Sequence, residues 1–446
     1  MNRLATRAVC LIVVCAFGYF PGYAAAVLYL GTPENYREML LQLGPGDTLR
    51  LEPGRYGEGL PLHGLMGTAE RPITITGPRK GSRPVLTARA GHNTVSIVDS
   101  AYIVLRNIEL DGRGELADAV KAEGHSSWAH HITLENLYVH GHDADQQIVG
   151  ISTKCPAWGW VIRNNVIEGA GTGLYLGDSD GSAPFIGGLI EYNLVINTLG
   201  YNLQIKHQQP RPSLTGMPTT KQQTIIRHNV FSKLKNGASG RAARPNVLVG
   251  HLPLAGAGAD DEYLVYGNFF YQNPTEALFQ GEGNIALYNN VFVNTYGNAV
   301  VFQPHHDAPR KVNVFHNTVL AENIGIMIKG EDGNHVQRIV ANAVFAGHPL
   351  SGGVQQGNLA VPLVAAADYL ADPFAPIGKL DLAPKSDDLA DRGLDTSVFE
   401  FFPEANVDYS GKPRGQPIRG AYVTGKNNFR LRLERKSRSA TGRPSA

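Results

Sequence analysis

An asparagine followed by apolar or β-branched residues returns nine times along the middle of this 446-residue chain. The asparagines of the repeat are Asn107, Asn136, Asn165, Asn193, Asn229, Asn268, Asn290, Asn317 and Asn342. Successive members lie 22 to 39 residues apart, so a fixed element alternates with an insert of variable length. This pattern is typical of a solenoid, in which each repeat buries its apolar surface only against its neighbours.

The residues around each asparagine predict strands rather than helices. Runs such as Val230-Phe231 and Val291-Phe292 are β-branched or aromatic and show no helical period. An asparagine at one corner of every coil suits a bend, because its side-chain amide can bond the neighbouring backbone and stack on the asparagine of the next coil, about 4.8 Å away. The sequence therefore predicts an all-β protein built as a single parallel β-helix.

Charge and cysteine content exclude several classes of protein. The formal net charge is +1, which argues against a nucleic-acid-binding surface. Cys10 and Cys15 lie in the N-terminal apolar segment, so only Cys155 remains in a processed chain and no internal disulfide is expected.

Residues 1–26 have the three parts of a secretory signal peptide. Arg3 and Arg7 provide the positive region, residues 8–20 are apolar, and Gly22 to Ala26 offer small residues for cleavage. The apolar run is short for a membrane span, although an uncleaved anchor is the alternative. We therefore expect a secreted or periplasmic protein with no stable membrane insertion after cleavage.

Composition divides the rest of the chain into three parts. Residues 27–348 form the predicted β-helix domain, and residues 37–43 a short helix that caps its open N-terminal end. Residues 349–423 are rich in Pro, Ala and Gly and predict an irregular C-terminal wrap. Residues 424–446 are basic and polar, and we expect a disordered tail there.

The N-terminal motifs resemble a known superfamily. Gly46-Asp47-Thr48, Pro53-Gly54-Arg55-Tyr56 and Pro72-Ile73-Thr74-Ile75 are similar to the start of right-handed parallel β-helix proteins of the pectate-lyase-like and alginate- and chondroitin-lyase-like superfamily. The resemblance covers residues 28–423 and implies one right-handed coil. That superfamily contains lyases, uronate epimerases, hydrolases and adhesins, so the fold does not decide the reaction.

One strand of each repeat places its fourth residue outward, next to apolar first and third residues. This outward column contains Glu123, Lys154, Gly177, Lys206, Gly250, Gln303 and Lys329, with Gln280 or Gly281 on the coil before Gln303. Lys206 has glycine on both neighbouring coils. The missing side chains predict a notch about one sugar deep, with an ammonium group at its floor.

Ionisable residues and long loops gather at the ends of the same strands. The turns there carry His125, Asp178, Asp180, His207, His251, Glu282, His305 and His306, and the longest inserts span residues 208–223 and 252–262. Long loops on a rigid scaffold are where sites concentrate. We therefore predict Lys206, His207 and His251 as catalytic residues.

Further residues are predicted to contact substrate or a metal ion. The substrate-binding set is Lys154, Arg227, Glu282, His305, Tyr266 and Tyr288. The last two belong to an aromatic stripe that could stack sugar rings or pack under a loop. Asp178 and Asp180 alternate like the carboxylates of a calcium loop without its distal glutamate, so they are tentative Ca²⁺ ligands, with an Asx-stabilised turn as the alternative.

These residues favour β-elimination on a uronate-containing, anionic polysaccharide. The reaction needs a cation at the carboxylate, a base for the C5 proton and an acid for the leaving oxygen. Lys206 can be the base, or it can neutralise the carboxylate while His207 or His251 takes the proton. The alternatives are a uronate C5-epimerase, a glycoside hydrolase with paired carboxylates, and a non-catalytic carbohydrate-binding surface protein. We expect a monomer.

Overall fold

The computed structural model describes residues 25–124, 127–331, 333–391, 393–424 and 430–436. Nearly all of its regular structure is β, and the coil strands pair in parallel with their equivalents in the neighbouring coils. A coil in the middle of the chain contributes strands to three faces, which we call the first, second and third face in chain order. The predicted single parallel β-helix is confirmed.

The first face is a separate 15-stranded sheet within the described residues. Its strands are Leu28–Gly31, Thr48–Leu51, Ile73–Thr76, Ser100–Arg106, Ala129–Glu135, Ala157–Trp158, Val161–Arg163, Phe185–Ile186, Leu189–Glu191, Gln223–Arg227, Glu262–Tyr266, Ile285–Tyr288, Val312–Phe315, Gln337–Val340 and Val354–Gln356.

The second and third faces are joined by two long strands, Thr318–Ile328 and Ala343–Ser351, which run from one face to the other. The remaining second-face strands are Arg55–Tyr56, Val85–Thr87, Glu109–Asp111, Tyr138–His142, Val166–Ala170, Leu194–Ile196, Val230–Ser232, Phe269–Tyr271, Val291–Asn294 and Leu359–Val361. The remaining third-face strands are Leu60–His63, Val95–Val98, Val120–Ala122, Val149–Thr153, Thr172–Leu176, Leu203–Ile205, Val247–Val249, Phe279–Gly281 and Val300–Phe302.

The asparagine repeat forms a ladder of side chains inside the corner between the first and second faces. Each amide nitrogen donates to the amide oxygen of the next coil at 2.9–3.1 Å. The members of this ladder are Asn165, Asn193, Asn229, Asn268, Asn290, Asn317, Asn342 and Asn358. Buried amides that bond in a continuous column satisfy one another, so the interior tolerates them.

Two predicted members of the ladder occupy a different position. Asn107 and Asn136 take left-handed backbone conformations with φ of 60° and 51°, as Asn164 does on the next coil. They therefore turn the corner, and Ile108 and Leu137 fill the interior positions behind them. Asn and Gly tolerate this conformation better than most residues, which explains asparagine at these corners.

The N-terminal end of the coil is closed by the helix Tyr36–Leu40. Tyr36 and Leu40 are buried against the core of the first coils, and the Tyr36 hydroxyl donates to the Gly59 carbonyl at 2.7 Å. The predicted cap is thus present, but the helix is shorter and begins one residue earlier. The other helical segments described are the α-helix Ala366–Tyr369 and the 3₁₀ turns Gly240–Ala242, Leu363–Ala365, Asp387–Leu389 and Ser397–Phe399.

The coil extends beyond residue 348, the predicted boundary, to the strand Leu359–Val361. The chain then packs along the outer surface of the second face, where outward residues such as Phe269 and Phe345 join one apolar cluster with Leu370, Leu382 and Tyr422. A short antiparallel pair, Leu370–Asp372 with Asp381–Pro384, lies in this segment.

Part of the predicted disordered tail is bound to the coil. Arg430 pairs with Asp381 at 2.6 Å, and the Lys436 ammonium donates to the Gly267 and Tyr409 carbonyls at 3.1 and 3.2 Å. The expectation of disorder is therefore wrong for residues 430–436. Residues 425–429 and 437–446 lie outside the described residues, as do residues 1–24 of the predicted signal peptide. Among the described residues, every helix is too short to cross a membrane.

Candidate functional site

The outward column that contains Lys206 lies on the third face. Strand pairing places Lys154, Gly177, Lys206 and Gly250 at equivalent positions on successive coils. Gly281 pairs with Val249, so the residue equivalent to Gly250 is Glu282. The prediction of Gln280 or Gly281 at this position is therefore wrong by two residues or one. This shift puts a carboxylate two coils from the Lys206 ammonium.

The two glycines beside Lys206 allow the coils to approach closely. A Cβ on Gly177 would lie 3.2 Å from the Lys206 Cβ, and one on Gly250 would lie 2.3 Å from the His207 backbone nitrogen. The predicted glycine flanks therefore serve close packing of the Lys206 coil. The Lys206 side chain is half-buried as a result, and this burial lowers the pKa of its ammonium group.

Cationic and aromatic side chains surround Lys206. The Lys154 and Lys206 ammonium nitrogens lie 3.5 and 5.8 Å from the centre of the Tyr175 ring. Arg244 lies over the Tyr201 ring at 5.9 Å, and all five residues line a groove of about 440 Å³. Burial lowers the pKa of Lys154 to about 8. The groove is therefore suited to an anionic chain.

The same groove continues past Lys206 into a second cavity of about 370 Å³. Its lining includes Glu282, Gln303, His305 and His306. The His306 Nδ1 lies 2.8 Å from Glu282 Oε1, while the Glu282 Oε2 accepts the backbone N–H groups of His305 at 3.0 Å and His306 at 2.9 Å. The turn after the strand Val300–Phe302 thus folds back onto the buried carboxylate.

Glu282 sets the tautomer of His306. The carboxylate is 1% exposed, and although burial acts to raise the pKa of Glu282, the hydrogen bonds from His306 and His305 hold that pKa below its usual value. An ionised carboxylate accepts the Nδ1 proton, which leaves Nε2 of His306 as the basic nitrogen. The His306 side chain is 44% exposed, so this base is accessible from the cavity.

His207 packs against His306 although their turns follow strands that are three coils apart. The two imidazole rings stack with centroids 3.7 Å apart and planes 20° from parallel. His207 Nε2 donates to the Asp180 carbonyl at 3.0 Å, and its Nδ1 is buried without a partner among the described residues. Burial, followed by the neighbouring His306 and Lys206, lowers the pKa of His207. The neutral ring therefore positions His306 and has no accessible basic nitrogen.

His251 is buried in the protein. It is 5% exposed, and its Nε2 is enclosed without a hydrogen-bond partner in the described part of the chain. Burial, followed by Arg310, lowers the pKa of the ring. A ligand in the groove has no access to this enclosed nitrogen, and the geometry therefore does not support the predicted catalytic role of His251.

Asp178 and Asp180 stabilise their own turn. Asp178 is 1% exposed and accepts hydrogen bonds from Ala183 N and Ser182 Oγ, both at 3.0 Å, while Asp180 accepts from Ser182 N at 2.9 Å. The described residues contain no group of three His, Cys, Asp or Glu side chains arranged to hold a metal ion. The donor set does not suit Ca²⁺, and the Asx-turn alternative accounts for both carboxylates.

Arg227, Tyr266 and Tyr288 lie on the first face, away from Lys206. Arg227 pairs with Glu191 at 2.8 Å, and the two tyrosine rings stack with centroids 4.8 Å apart. The rings are 1% and 0% exposed because the C-terminal segment covers them, and the Tyr288 hydroxyl donates to the Pro403 carbonyl. These three residues therefore pair and pack within the protein, and do not contact substrate as predicted.

From the predicted site, the groove and its second cavity are lined by Lys154, Lys206, His207, Glu282 and His305. His125 lies outside the described residues. The structure adds four residues that the sequence did not single out as catalytic or binding: Tyr175, Tyr201, Arg244 and His306. Tyr175 and Gln204 pair on adjacent coils and lie two residues before Gly177 and Lys206, so strand alternation predicts that they also point outward, which was a signal for Tyr175.

Comparisons with known proteins concern the fold. No protein-family model and no curated protein sequence matches this chain. A solved structure of the GH136 lacto-N-biosidase of Eubacterium ramulus has a TM-score of 0.53 at 13% identity, covering 76% of this chain and 68% of that one. This protein is a right-handed parallel β-helix.

Two further solved structures are similar at lower TM-scores. The A-module of the mannuronan C-5 epimerase AlgE4 of Azotobacter vinelandii has a TM-score of 0.44 at 14% identity and covers 73% of this chain and 91% of that one. An alginate lyase from a Paenibacillus species has a TM-score of 0.40 at 14% identity and covers 75% and 99%. At such identities a likeness shows the fold alone, so function must be argued from the groove.

Proposed function

We propose that this protein is an enzyme that cleaves an anionic, uronate-containing polysaccharide by β-elimination. One observation carries the proposal: the cationic groove places Lys206 in the same cavity as His306, whose basic nitrogen is fixed by the buried Glu282. A cation for the carboxylate and an oriented base for the carbon acid are the two groups that the first step requires.

Each of these residues has one role in the reaction. The Lys206 ammonium neutralises the uronate carboxylate and so makes the C5 proton more acidic. His306 Nε2 takes that proton, the electron pair forms the C4–C5 double bond, and the C4–O4 bond breaks. The proton then passes from the imidazolium, stabilised by Glu282, to the departing oxygen. Lys154 and Arg244 hold neighbouring anionic sugars in the groove.

Hydrolysis is less well supported by the same cavity. A glycosidase needs one carboxylic acid that stays protonated and one carboxylate beside it. Glu282 is fully engaged by its hydrogen bonds with a lowered pKa, and Asp178 is buried within its turn. A C5-epimerase shares the proton abstraction at Lys206 and His306, so it is the second candidate.

Ultraviolet absorbance of the unsaturated uronate tests the proposal. Purified protein is mixed with alginate, pectate, glucuronan and glycosaminoglycans, each with calcium and with chelator. We expect absorbance to rise on one polymer and to be lost in Lys206→Ala and His306→Ala. Lys329→Ala is the matched control, because Lys329 is an exposed member of the same column four coils away.

The other outcomes assign other functions. Reducing ends without absorbance would indicate a hydrolase and contradict the roles of Lys206 and His306. Exchange of deuterium from solvent into C5 without chain cleavage would indicate the epimerase. Binding without any of these changes would leave a carbohydrate-binding protein. Secretion is part of the same proposal, and the N-terminal sequence of the exported protein tests cleavage near residue 26.

A further inference from the structure

Five aromatic side chains form a cluster outside the groove, where the third face turns into the first. We call Tyr102, Trp128, His130, His131 and Trp158 the aromatic platform. His130 and Trp158 occupy equivalent outward positions on adjacent first-face strands. His130 also pairs with Ala101 on the coil before, so the residues that follow them, His131 and Tyr102, are equivalent as well. The platform therefore spans three successive coils.

The rings of the platform stack in two columns. Tyr102 and His131 have centroids 4.5 Å apart with planes at 12°, and His130 and Trp158 have centroids 4.5 Å apart at 20°. Trp128 extends the second column, 5.1 Å from His130 at 23°. Trp158 is 2% exposed at the base, whereas Tyr102 and Trp128 are partly exposed and His131 is exposed. The outer rings therefore present aromatic surface to solvent.

The backbone is strained where it presents these rings. Tyr102 and His131 have φ of 55° and 53°, a left-handed conformation that is unfavourable for tyrosine and that histidine adopts more readily. The equivalent residues of the next two coils are Gly159 and Gly187, with φ of 66° and 58°. On those two coils glycine therefore forms the same bend without a side chain. Rings at these two coils are retained despite the strain, which is common at binding sites.

The platform is uncharged at neutral pH. Burial, followed by the neighbouring His131, lowers the pKa of His130 to about 4, and burial also lowers the pKa of His131. Their Nδ1 atoms lie 2.7 Å apart, so one ring donates and the other accepts. The two Nε2 atoms are then one acceptor and one donor, a pair that matches the hydroxyl groups of a sugar.

The surroundings favour a neutral ligand over an anionic one. The Asp99 carboxylate accepts from the Trp128 backbone N–H at 3.3 Å, which places negative charge beside the platform. Among the described residues, no lysine or arginine lies over a platform ring. The buried indole nitrogen of Trp158 finds no acceptor within the described chain.

We propose that the aromatic platform is a second carbohydrate-binding site that stacks an uncharged pyranose ring of a polysaccharide. Aromatic faces carry partial negative charge and attract the C–H groups of a sugar ring. Trp158 follows Lys154 by four residues in the same coil, and Met217 of the loop that leaves the Lys206 coil packs beside Trp158. The platform is therefore around the corner from the cationic groove and does not depend on its chemistry.

Affinity electrophoresis of the full chain tests this site separately from the reaction. Native gels contain glucomannan, xyloglucan, galactan or hydroxyethylcellulose, all of which are neutral, and migration is compared with a polymer-free gel. We expect retardation in at least one gel, weakened about tenfold in Trp128→Ala, as expected for one aromatic stacking contact. Trp128→Phe keeps a ring and should retain most of the affinity.

Two controls separate binding from folding. Tyr296→Ala removes a 54% exposed aromatic side chain elsewhere on the coil and should change nothing. Lys206→Ala should abolish the proposed elimination but leave retardation by neutral polymer intact. The absence of retardation in all four gels would overturn the inference. So would unchanged retardation in Trp128→Ala with a lowered Tm, because the rings would then serve packing alone.

Discussion

Replacing Asn268 by Ala in the interior ladder should destabilise the coil strongly. The Asn268 side chain is fully buried and makes five hydrogen bonds. Its amide nitrogen donates to Ile226 O at 2.8 Å, Tyr266 O at 3.1 Å and Asn290 Oδ1 at 3.0 Å. Its oxygen accepts from the Asn229 backbone and side chain at 2.9 and 3.0 Å. At a net value near 1 kcal/mol for each bond, the loss is about 3–5 kcal/mol.

The matched variant is Asn358→Ala at the C-terminal end of the ladder. Asn358 is half-buried and makes three such bonds, one to Ile339 O and two from Asn342. Water can replace part of what is lost there, so we expect a destabilisation of about 1–2 kcal/mol. The comparison holds the residue type and the ladder constant and changes only the number of bonds and the burial.

Urea unfolding measures both variants, followed by far-ultraviolet circular dichroism and by tryptophan fluorescence. Coincidence of the two transitions is required before free energies of unfolding are compared, because solenoids can unfold in segments. A difference of less than about 1 kcal/mol between Asn268→Ala and Asn358→Ala would refute the additive hydrogen-bond reasoning. The ladder would then be a geometric consequence of the coil and not a source of its stability.

Three further predictions concern the groove. Because the pKa of Lys154 is lowered to about 8, its positive charge is present below that pH and lost above it. Affinity electrophoresis in an anionic polymer should therefore show retardation falling through this range, and Lys154→Arg should abolish the fall; an unchanged profile in Lys154→Arg would contradict the assignment. Glu282→Gln removes the negative charge that stabilises the protonated His306 ring and should lower kcat about a hundredfold with little change in KM; an equal loss in Lys329→Ala would show that the effect is not local. Gly250→Ala places a Cβ 2.3 Å from a backbone nitrogen of the neighbouring coil and should lower the free energy of unfolding by about 1–3 kcal/mol. Gly415→Ala, which meets open space, is its control, and similar Tm values for the two would refute the packing argument.

The fold was predictable because its signals are local. Strand alternation and a corner asparagine recur within every repeat, so each coil carries enough information to identify itself. The error at Asn107 and Asn136 has the same origin. An asparagine before an apolar residue occurs both at the left-handed corner position and at the interior position, and Asn164-Asn165 occupies both at once. Only strand pairing distinguishes the two.

The site was predictable only where it follows from strand pairing. Lys206 and its glycines could be placed because equivalent positions of successive coils must be adjacent. The role of His306 depends on a turn that returns it to Glu282, and the sequence contains no local sign of that path. Burial of Tyr288 by residues more than a hundred positions later is equally non-local.

The cover over the second face has a consequence for how the protein is made. Outward residues of that face that are 8% exposed or less include Leu194, Val230, Phe269, Val291, Leu320 and Phe345. Their partners lie between residues 366 and 431, which leave the ribosome after every coil has been synthesised. Until then a nascent chain bears a complete groove beside a long apolar strip, which invites self-association or capture by a chaperone. The last-made part of the chain therefore decides whether the finished coils stay in solution.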